Sequence, residues 1–333
     1  MLCAIGDLHL SDNRPWSYDV SRTIVKYIID SPHNNPDNEL VLLGDITESA
    51  SMSGLLYDLL LNMFLALKYK TVYVLVGNHD KKPNKQGKLT LSYRFLMNRN
   101  IKKIFTNSDI RVIDTAQIIE IEGMKCLMLP YIFNDSGLDF SYYEHLPSEL
   151  NQKYDILFGH FSDTSQMEFT GKGVDISYIK RAYTCLGHQH NPSDNYIGSV
   201  VPNSISEASK SRSIQLFTFG DKGPTRIMEP LPIISDYYTA TFPKPLPTVE
   251  ASIPIWTVTN CASPEIAIEH YGPMYITKCV YKPTLDFDAI RDIGVFENRE
   301  QFTNTKLFEM FAETKPYADP KVIELARSYL LSS

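Results

Sequence analysis

The sequence is poor in cysteine and has no pair of thiols spaced for metal binding. The five cysteines are scattered along the chain, and none of them belongs to a CxxC pair (Cys3, Cys126, Cys185, Cys261 and Cys279). An odd, dispersed set argues against a disulfide framework and against a thiolate zinc site. Such a set is typical of reduced, buried thiols, so we expect a cytoplasmic protein.

Long apolar runs and several catalytic motifs are also missing. The richest apolar segment, residues 55–67, is interrupted by Asp58 and Asn62, and it is shorter than the roughly 20 residues of a membrane span. The N-terminus lacks the basic region of a secretory signal. The absence of GxSxG argues against a serine hydrolase. The absence of GxxxxGK[ST] means that any ATP chemistry must come from another chain.

Positive charge is in the minority overall but is concentrated in one segment. With 32 basic and 39 acidic residues the net charge is −7, which gives no general attraction to nucleic acid. Between residues 81 and 108, however, the chain carries cations and no acid. This basic segment is either a solvated surface or a face that binds phosphates; its eight cations are Lys81, Lys82, Lys85, Lys88, Arg94, Arg99, Lys102 and Lys103.

The first two-thirds of the chain alternates short β-branched runs with helical patterns, as α/β folds do. Helices are predicted around residues 20–28 and 55–67, where apolar residues recur at helical spacing. A hairpin is predicted from residues 111–121 and 125–129, joined at Glu122-Gly123. Buried strands are predicted at residues 2–6, 40–44, 71–77 and 156–159, and further strands at residues 183–187, 196–201 and 213–219.

Composition changes near residue 224, where proline becomes frequent. Seven of the 20 prolines lie between residues 224 and 254, and that density favours a linker to a second unit. Strand patterns near residues 237–242, 255–258 and 275–281 then indicate a small α+β domain. The predicted domains are a main domain at residues 1–230, a capping domain at 231–299 and a helical tail at 300–333.

Histidines and aspartates follow the predicted buried strands at five places. A glycine at each strand end allows a sharp turn, so the next side chains project over the carboxyl edge of the sheet. Imidazole, carboxylate and amide groups without thiolate suit pairs of Mn²⁺, Fe²⁺ or Zn²⁺ ions. The five clusters are Gly6-Asp7-Leu8-His9, Gly44-Asp45, Gly77-Asn78-His79-Asp80, Gly159-His160 and Gly187-His188-Gln189-His190.

This ordered set resembles the calcineurin-like metallophosphoesterase superfamily, whose pattern is DxH, GD, GNHD, GH and GHxH. The resemblance implies a β-sandwich flanked by helices in αββα layers, and two divalent ions, Mn²⁺ by preference with Mg²⁺ as the alternative. One metal would be held by Asp7, His9 and His190, and the other by Asn78, His160 and His188, with Asp45 bridging the two. His79 would act on the scissile phosphate or leaving group, oriented by Asp80 or a nearby carboxylate.

Within the superfamily the chain is most similar to the nuclease subunit called SbcD in bacteria, which also has phage relatives. The first motif begins the chain, Tyr196-Ile197-Gly198-Ser199 follows the last histidine pair, and a capping domain and helical tail come after. The resemblance implies a DNA exonuclease and endonuclease in end processing, recombination or repair, in the host cytoplasm if phage-encoded. Its partners would be DNA and an SMC-like ATPase that binds the C-terminal helices, and a homodimer is compatible with it. DNA would be held by Lys81, Lys82, Lys85, Lys88 and Arg94.

One position departs from that family. Glu48 stands three residues after Asp45, where relatives commonly carry His or Asp, and whether this position orients His79 stays open. Two other functions also stay open. One is a stand-alone phosphoesterase acting on small nucleotides or phosphoproteins, and the other is a DNA-end-binding scaffold with a decayed site. The complete ligand set argues against the scaffold.

Overall fold

The structure is a computed structural model, and it describes residues 1–83, 89–98, 103–131, 133–134, 137–138, 152–164, 174–177, 179–221 and 223–281. Residues Met1–Tyr281 form one compact unit. The helices are α1 (Ser17–Asp30), α2 (Gly54–Ala66) and α3 (Pro264–Tyr271). The strands are β1 (Leu2–Ile5), β2 (Glu39–Leu42), β3 (Thr71–Leu75), β4 (Lys81–Pro83), β5 (Leu89–Leu91), β6 (Asp109–Ile113), β7 (Gln117–Ile121), β8 (Met124–Leu129), β9 (Phe133–Asn134), β10 (Gly137–Leu138), β11 (Tyr154–His160), β12 (Arg181–Gly187), β13 (Ser213–Gly220), β14 (Gly223–Pro230), β15 (Ser235–Thr241), β16 (Ile253–Thr259) and β17 (Tyr275–Val280).

Two sheets form the centre of the unit. The larger has six strands in the order β14-β13-β1-β2-β3-β6, and the smaller has four in the order β12-β11-β8-β7. In the larger sheet β1, β2, β3 and β6 run parallel, and in the smaller β8, β11 and β12 do so. Five of these parallel strands lead into the predicted ligand clusters, so the clusters leave the sheets at carboxyl ends.

The two sheets pack face to face because their strands alternate apolar side chains between two buried sides. Leu2 and Ala4 of β1 face the smaller sheet, in one core with Met128 and Phe158. Cys3 and Ile5 face the opposite way, into a core shared with both long helices. A strand buried on both faces reads as continuously hydrophobic, as β1 does.

The outer layers differ on the two sides of the sandwich. On the larger sheet α1 and α2 cover the surface, and Ile24, Ile28, Leu60 and Phe64 point inward. Ser53 caps the N-terminus of α2, where its hydroxyl accepts a hydrogen bond of 3.1 Å from the Leu56 amide. On the smaller sheet, among the described residues, the outer core is closed by Val174, Ile176 and Ile179, which are not helical. The mixed α/β fold is confirmed, with one helical layer in the described part of the chain.

The predicted hairpin is confirmed in its turn and corrected in its first strand. Glu122 and Gly123 have φ angles of 51° and 81°, as a tight hairpin turn between two strands requires. Residues 111–121 are not one strand, however. Strand β6 ends in the larger sheet at Ile113, and β7 begins in the smaller sheet at Gln117, so the intervening residues cross from one sheet to the other.

The proline-rich segment contains strands and is not an extended linker. Strand β14 runs through Pro224 and Pro230 at the outer edge of the larger sheet, where a missing backbone N–H leaves no ladder bond unmade. Strands β15, β16 and β17 form a separate parallel sheet with α3 beside it. The domain boundary at residue 231 stays a prediction, and the tail at residues 300–333 lies outside the described residues.

Candidate metal and catalytic site

The five ligand clusters meet at the carboxyl edge of both sheets. Asp7 and His9 follow β1, Asp45 follows β2, and Asn78 and His79 follow β3. His160 ends β11 in the smaller sheet, and His188 and His190 follow β12. Asp7, Asp45 and His160 are buried, while Asn78, His79, His188 and His190 are partly exposed. The site therefore has a buried floor and a rim that solutes can reach.

The backbone at the floor is strained in a way that brings the ligands together. Asp7, His9, Asp45 and His188 have φ angles of 43°, 46°, 47° and 80°, which side chains with a Cβ rarely adopt. Such residues cost about 1–3 kcal/mol each, and they cluster at functional sites. Gly77 allows the tightest approach, because a Cβ there would lie 2.2 Å from Asp45 Oδ1.

The first predicted ligand group lies together in the structure. Ligand-capable atoms of Asp7, His9 and His190 are within 4.8 Å of one another. The Nε2 atoms of His9 and His190 are 3.0 Å apart, so both imidazoles turn the same nitrogen toward one point. Asp45 Oδ2 lies 3.8 Å from His9 Nε2, which places the predicted bridging carboxylate beside this group.

The second predicted group also converges. Asn78 Oδ1 lies 3.0 Å from His160 Nε2 and 2.9 Å from His188 Nδ1. Asp45 Oδ2 is 3.2 Å from His160 Nε2, so the same carboxylate oxygen borders both groups. The backbone amide of His188 donates to Asp7 at 2.9 Å, and this bond ties the two groups to each other.

Three of the histidines are oriented by an oxygen atom that contacts Nδ1, the ring nitrogen that faces away from the site. His9 Nδ1 lies 2.7 Å from Glu48 Oε2, His160 Nδ1 lies 2.6 Å from the Leu43 carbonyl, and His190 Nδ1 lies 3.1 Å from Glu207 Oε1. An oxygen acceptor at Nδ1 selects the tautomer whose Nε2 lone pair faces the site. Metal-binding histidines almost always show this arrangement, so the donor set fits a pair of divalent ions.

The charges at the floor are strongly coupled. Burial opposes the charge on Asp45, but the imidazole of His160 outweighs it and holds the pKa of Asp45 well below its usual range. Burial likewise opposes a charged His160, yet Asp45 and Asp7 raise the pKa of His160 to about 9. Burial and the neighbouring His160 lower the pKa of His188 to about 4. The pKa values of the two histidines of the second group are therefore shifted in opposite directions.

His79 stands at the edge of this site, and a backbone carbonyl orients it. Its Nδ1 donates a hydrogen bond of 2.8 Å to the Glu48 carbonyl, and its ring lies 5.0 Å from that of His9. Its ligand-capable atoms also lie within 4.8 Å of those of His9 and Asp45. With Nδ1 committed as a donor, Nε2 is the atom that can hold a proton for a phosphate oxygen or a leaving group.

Asp80 has a different role from the one expected. The sequence prediction had Asp80 or another carboxylate orient His79, whereas Asp80 is fully buried and binds the loops beneath. Its oxygens accept hydrogen bonds from the Gly77 amide at 2.9 Å, the Thr47 amide at 3.2 Å and the Tyr93 hydroxyl at 2.9 Å. Burial and the charge of Asp45 raise the pKa of Asp80 to about 6. Asp80 thus joins the loops that follow β2 and β3.

The residues predicted to bind DNA are only partly described. Lys82 and Arg94 are exposed. Lys81 is half-buried. Burial lowers its pKa, and this effect outweighs the opposite effect of the negative charges of Asp114 and Asp80. Lys85 and Lys88 lie outside the described residues.

Sequence reasoning missed three supports of the site. Glu207, which holds His190, lies in a separate turn with no motif of its own. Arg212 donates to the Ser199 carbonyl at 2.6 Å and to the Glu207 carbonyl at 3.0 Å, and so braces that turn. The contact of Glu48 with His9 was also unforeseen, although the departure of position 48 from the family pattern marked it as unusual.

A match to a protein-family model identifies the family of this chain. A family model for calcineurin-like phosphoesterases matches residues 2–192, more than half of the chain. The chain belongs to the calcineurin-like phosphoesterase family. No curated protein gives a significant match.

Solved structures similar to this phosphoesterase share little sequence with it. The protein of unknown function AQ665 from Aquifex aeolicus is 17% identical, with 55% of this chain and 88% of that chain covered and a TM-score of 0.30. The phosphopantetheinyl hydrolase PptH from Mycobacterium tuberculosis is 13% identical, with 68% and 87% covered and a TM-score of 0.34. Both TM-scores are too low to support an inference about the substrate.

Family membership implies a metal-dependent hydrolase of phosphoesters. Divalent ions in such sites activate a water and neutralise charge on the phosphate. The residues that would hold them here are Asp7, His9, Asp45, Asn78, His160, His188 and His190. The protein positions these groups at strand ends, keeps their imidazoles turned inward, and places His79 at the edge of the site, 5.0 Å from the ring of His9. No helix in the described part of the phosphoesterase is long and apolar enough to cross a membrane.

Proposed function

We propose that this phosphoesterase is a DNA nuclease subunit, which cuts phosphodiester bonds as an exonuclease and endonuclease in DNA end processing, recombination or repair. It would act together with an SMC-like ATPase. The observation that carries the proposal is a hairpin that leaves directly from the loop holding His79 and begins an acid-free basic segment.

The hairpin is formed by β4 and β5, and β4 begins only two residues after His79. Lys82 on β4 is exposed, and Arg94 is exposed in the short helical turn that follows β5. The sequence from residue 81 to 108 contains no acid. Cations on such an element bind phosphates whatever the base sequence. A strand held there would lie beside His79.

A second support comes from the stretch that follows the last histidine pair. Gly198 has a φ of 80°, which lets the chain fold back, and the Ser199 amide donates to the His190 carbonyl at 3.2 Å. The Ile197 amide donates to Leu186 at 2.9 Å. Tyr196-Ile197-Gly198-Ser199 thus closes the loop that holds His190. The same stretch contributes to the resemblance to SbcD-type subunits, from which the ATPase partner is inferred.

For the metals we propose Mn²⁺, with Mg²⁺ as the alternative. The donors combine imidazole nitrogens with carboxylate and amide oxygens, a mixture that suits first-row divalent ions. Mg²⁺ prefers oxygen ligands and retains several waters, so the many imidazoles favour Mn²⁺.

The test compares two substrates with and without the partner. The purified full chain is incubated with Mn²⁺, linear duplex DNA and bis-p-nitrophenyl phosphate, in the presence or absence of a candidate SMC-like ATPase. We expect DNA degradation that the ATPase stimulates. Rapid hydrolysis of small esters by the isolated chain, with no cleavage of DNA in either condition, would instead identify a stand-alone phosphoesterase acting on small nucleotides or phosphoproteins.

Variants of the hairpin separate binding from chemistry. Replacing Lys82 and Arg94 by Gln should weaken DNA binding and lessen its dependence on salt, since fewer counterions are released. Hydrolysis of the small ester should be unchanged. Lys70→Gln is the control, because Lys70 is an exposed cation outside the hairpin, 3.1 Å from Glu122 in the turn between β7 and β8. Equal effects of the two sets of substitutions on DNA binding would contradict the role of the hairpin.

A further inference from the structure

A small cleft opens next to the metal site, on the side of His9 and Glu48. Its walls come from the loop between β1 and α1, from the loop around Asn203, and from Tyr237 of β15. The cleft measures about 60 Å³. That space is enough for a few waters or one small anion. Since His9 and Glu48 line it, a group bound there would be a neighbour of whatever the metals hold.

One cation faces this cleft, and an aromatic ring holds it. Arg14 is exposed, and its guanidinium carbon lies 5.8 Å from the centre of the Trp16 ring. Trp16 is itself half-buried against the core beneath α1. Its guanidinium also shares a hydrogen bond with the Tyr237 hydroxyl on the opposite wall, and because a guanidinium carries five N–H donors, others remain for an anion. The contact with Trp16 and the hydrogen bond with Tyr237 place Arg14 beside the cleft.

Apart from Arg14, the charged groups that line the cleft are paired with each other. Among its lining residues, all of which the structure describes, Arg14 is the one basic side chain other than histidine and Glu48 the one acid. Glu48 lies 2.7 Å from His9 Nδ1, so its charge is directed at that imidazole. The positive charge of Arg14 is thus the one that an incoming anion would meet.

Neutral donors stand around the same space. Asn13 Oδ1 accepts a hydrogen bond of 2.7 Å from Ser11, which leaves the amide nitrogen as the donor of that side chain. Asn203 stands on the other wall and offers a second side-chain amide, while the Tyr237 hydroxyl donates its proton to the Asn203 carbonyl at 3.2 Å and so supports this wall. One guanidinium combined with side-chain amides can bind a phosphate through charge-assisted and neutral hydrogen bonds.

We propose that this cleft binds a second phosphate group, the one next to the scissile phosphate along a nucleic acid strand; this rests on the proposed nuclease function. Two adjoining anion sites match a backbone that repeats its phosphates at a fixed spacing. A singly phosphorylated peptide carries one phosphate and would use only the metal site. The cleft thereby favours substrates with consecutive phosphates.

The test measures binding to the full chain loaded with Mn²⁺, by calorimetry, for thymidine 3′,5′-bisphosphate and thymidine 5′-monophosphate. We expect the bisphosphate to bind about tenfold more tightly, as one added charge-assisted contact allows. Arg14→Gln should bring the ratio near one, and Arg14→Lys should retain part of it. Arg22→Gln is the matched control, because Arg22 is an exposed arginine of α1 that lies 4.0 Å from Asp19 and away from the cleft.

Several results of these binding measurements would overturn the second phosphate site. Equal affinity of the wild-type protein for the two nucleotides would overturn the second phosphate site, and so would equal loss in the Arg14→Gln and Arg22→Gln variants. A singly phosphorylated serine peptide should bind both proteins alike, and weakening by Arg14→Gln as large as for the bisphosphate would also overturn it. If the ratio holds but no DNA is degraded with any ATPase, the nuclease proposal fails and the site stands.

Discussion

Glu48 offers a direct test of how the first metal group is held. Its carboxylate lies 2.7 Å from His9 Nδ1, and its backbone carbonyl holds His79 Nδ1 at 2.8 Å. The two contacts use different parts of one residue. A substitution at position 48 therefore removes support from His9 and leaves the hydrogen bond of His79 in place, so metal binding and catalysis should respond separately.

The expected loss of metal affinity depends on which interactions with His9 each substitution retains. Loss of a group that orients a metal-binding histidine typically lowers metal affinity about 10–100-fold. In Glu48→Gln the amide oxygen can still accept from His9 and only the charge is lost, so we expect about a tenfold loss. In Glu48→Ala both are lost, and we expect about a hundredfold loss, equivalent to about 2.7 kcal/mol.

The assay is a calorimetric titration of each full-length variant with Mn²⁺, followed by steady-state hydrolysis at saturating metal. The affinity of one ion should fall in the order just given, while kcat stays within a factor of about three. Glu229→Gln is the matched control, since Glu229 forms a similar pair with His33 at 2.9 Å outside the site. Wild-type affinity for both ions in Glu48→Ala, or an equal loss in Glu229→Gln, would refute the reasoning.

Three further predictions concern the same site. Asp45→Asn should weaken both ions, because this carboxylate borders both groups, and elemental analysis after gel filtration should show fewer than two ions per chain. His79→Gln should abolish hydrolysis but retain both ions in that analysis, and loss of an ion would instead make His79 a ligand. Since the pKa of His160 is raised to about 9, a metal must displace its proton, so affinity should fall about tenfold per pH unit below that value. Titrations at pH 6 and pH 8 check this, and equal affinities would contradict it.

The convergence of the ligand-capable residues could be predicted because each part of the pattern is encoded locally. A buried strand, a glycine and a polar residue occur in sequence at five places, and parallel strands bring their carboxyl ends to the same edge. Asp7 and Asp45 are neighbours in space because β1 and β2 pair in parallel. The family pattern then assigned each ligand to a metal, and the structure brings the members of each group together.

The supports of the site could not be predicted because they depend on contacts between distant segments. Glu207 reaches His190 from a turn 17 residues later, and the Leu43 carbonyl reaches His160 across 117 residues. Local sequence patterns also predicted a strand that the structure does not contain. Residues 196–201 have an apolar strand pattern, yet they fold back around Gly198 and form only an isolated bridge at Tyr196. Tertiary contacts decide such segments more than local preference does.

The left-handed backbone at the ligands lowers the stability of the fold in order to hold the side chains that would bind the metals. Asp7, Asp45 and His188 all have positive φ angles, which glycine adopts without strain. Glycine at any of them would relieve part of about 1–3 kcal/mol of strain and would also remove a ligand. Substitutions chosen for stability alone at these positions would therefore remove ligands from this centre. Stabilisation of this enzyme by design should accordingly begin in its cores and at its helix ends, and should leave these turns unchanged.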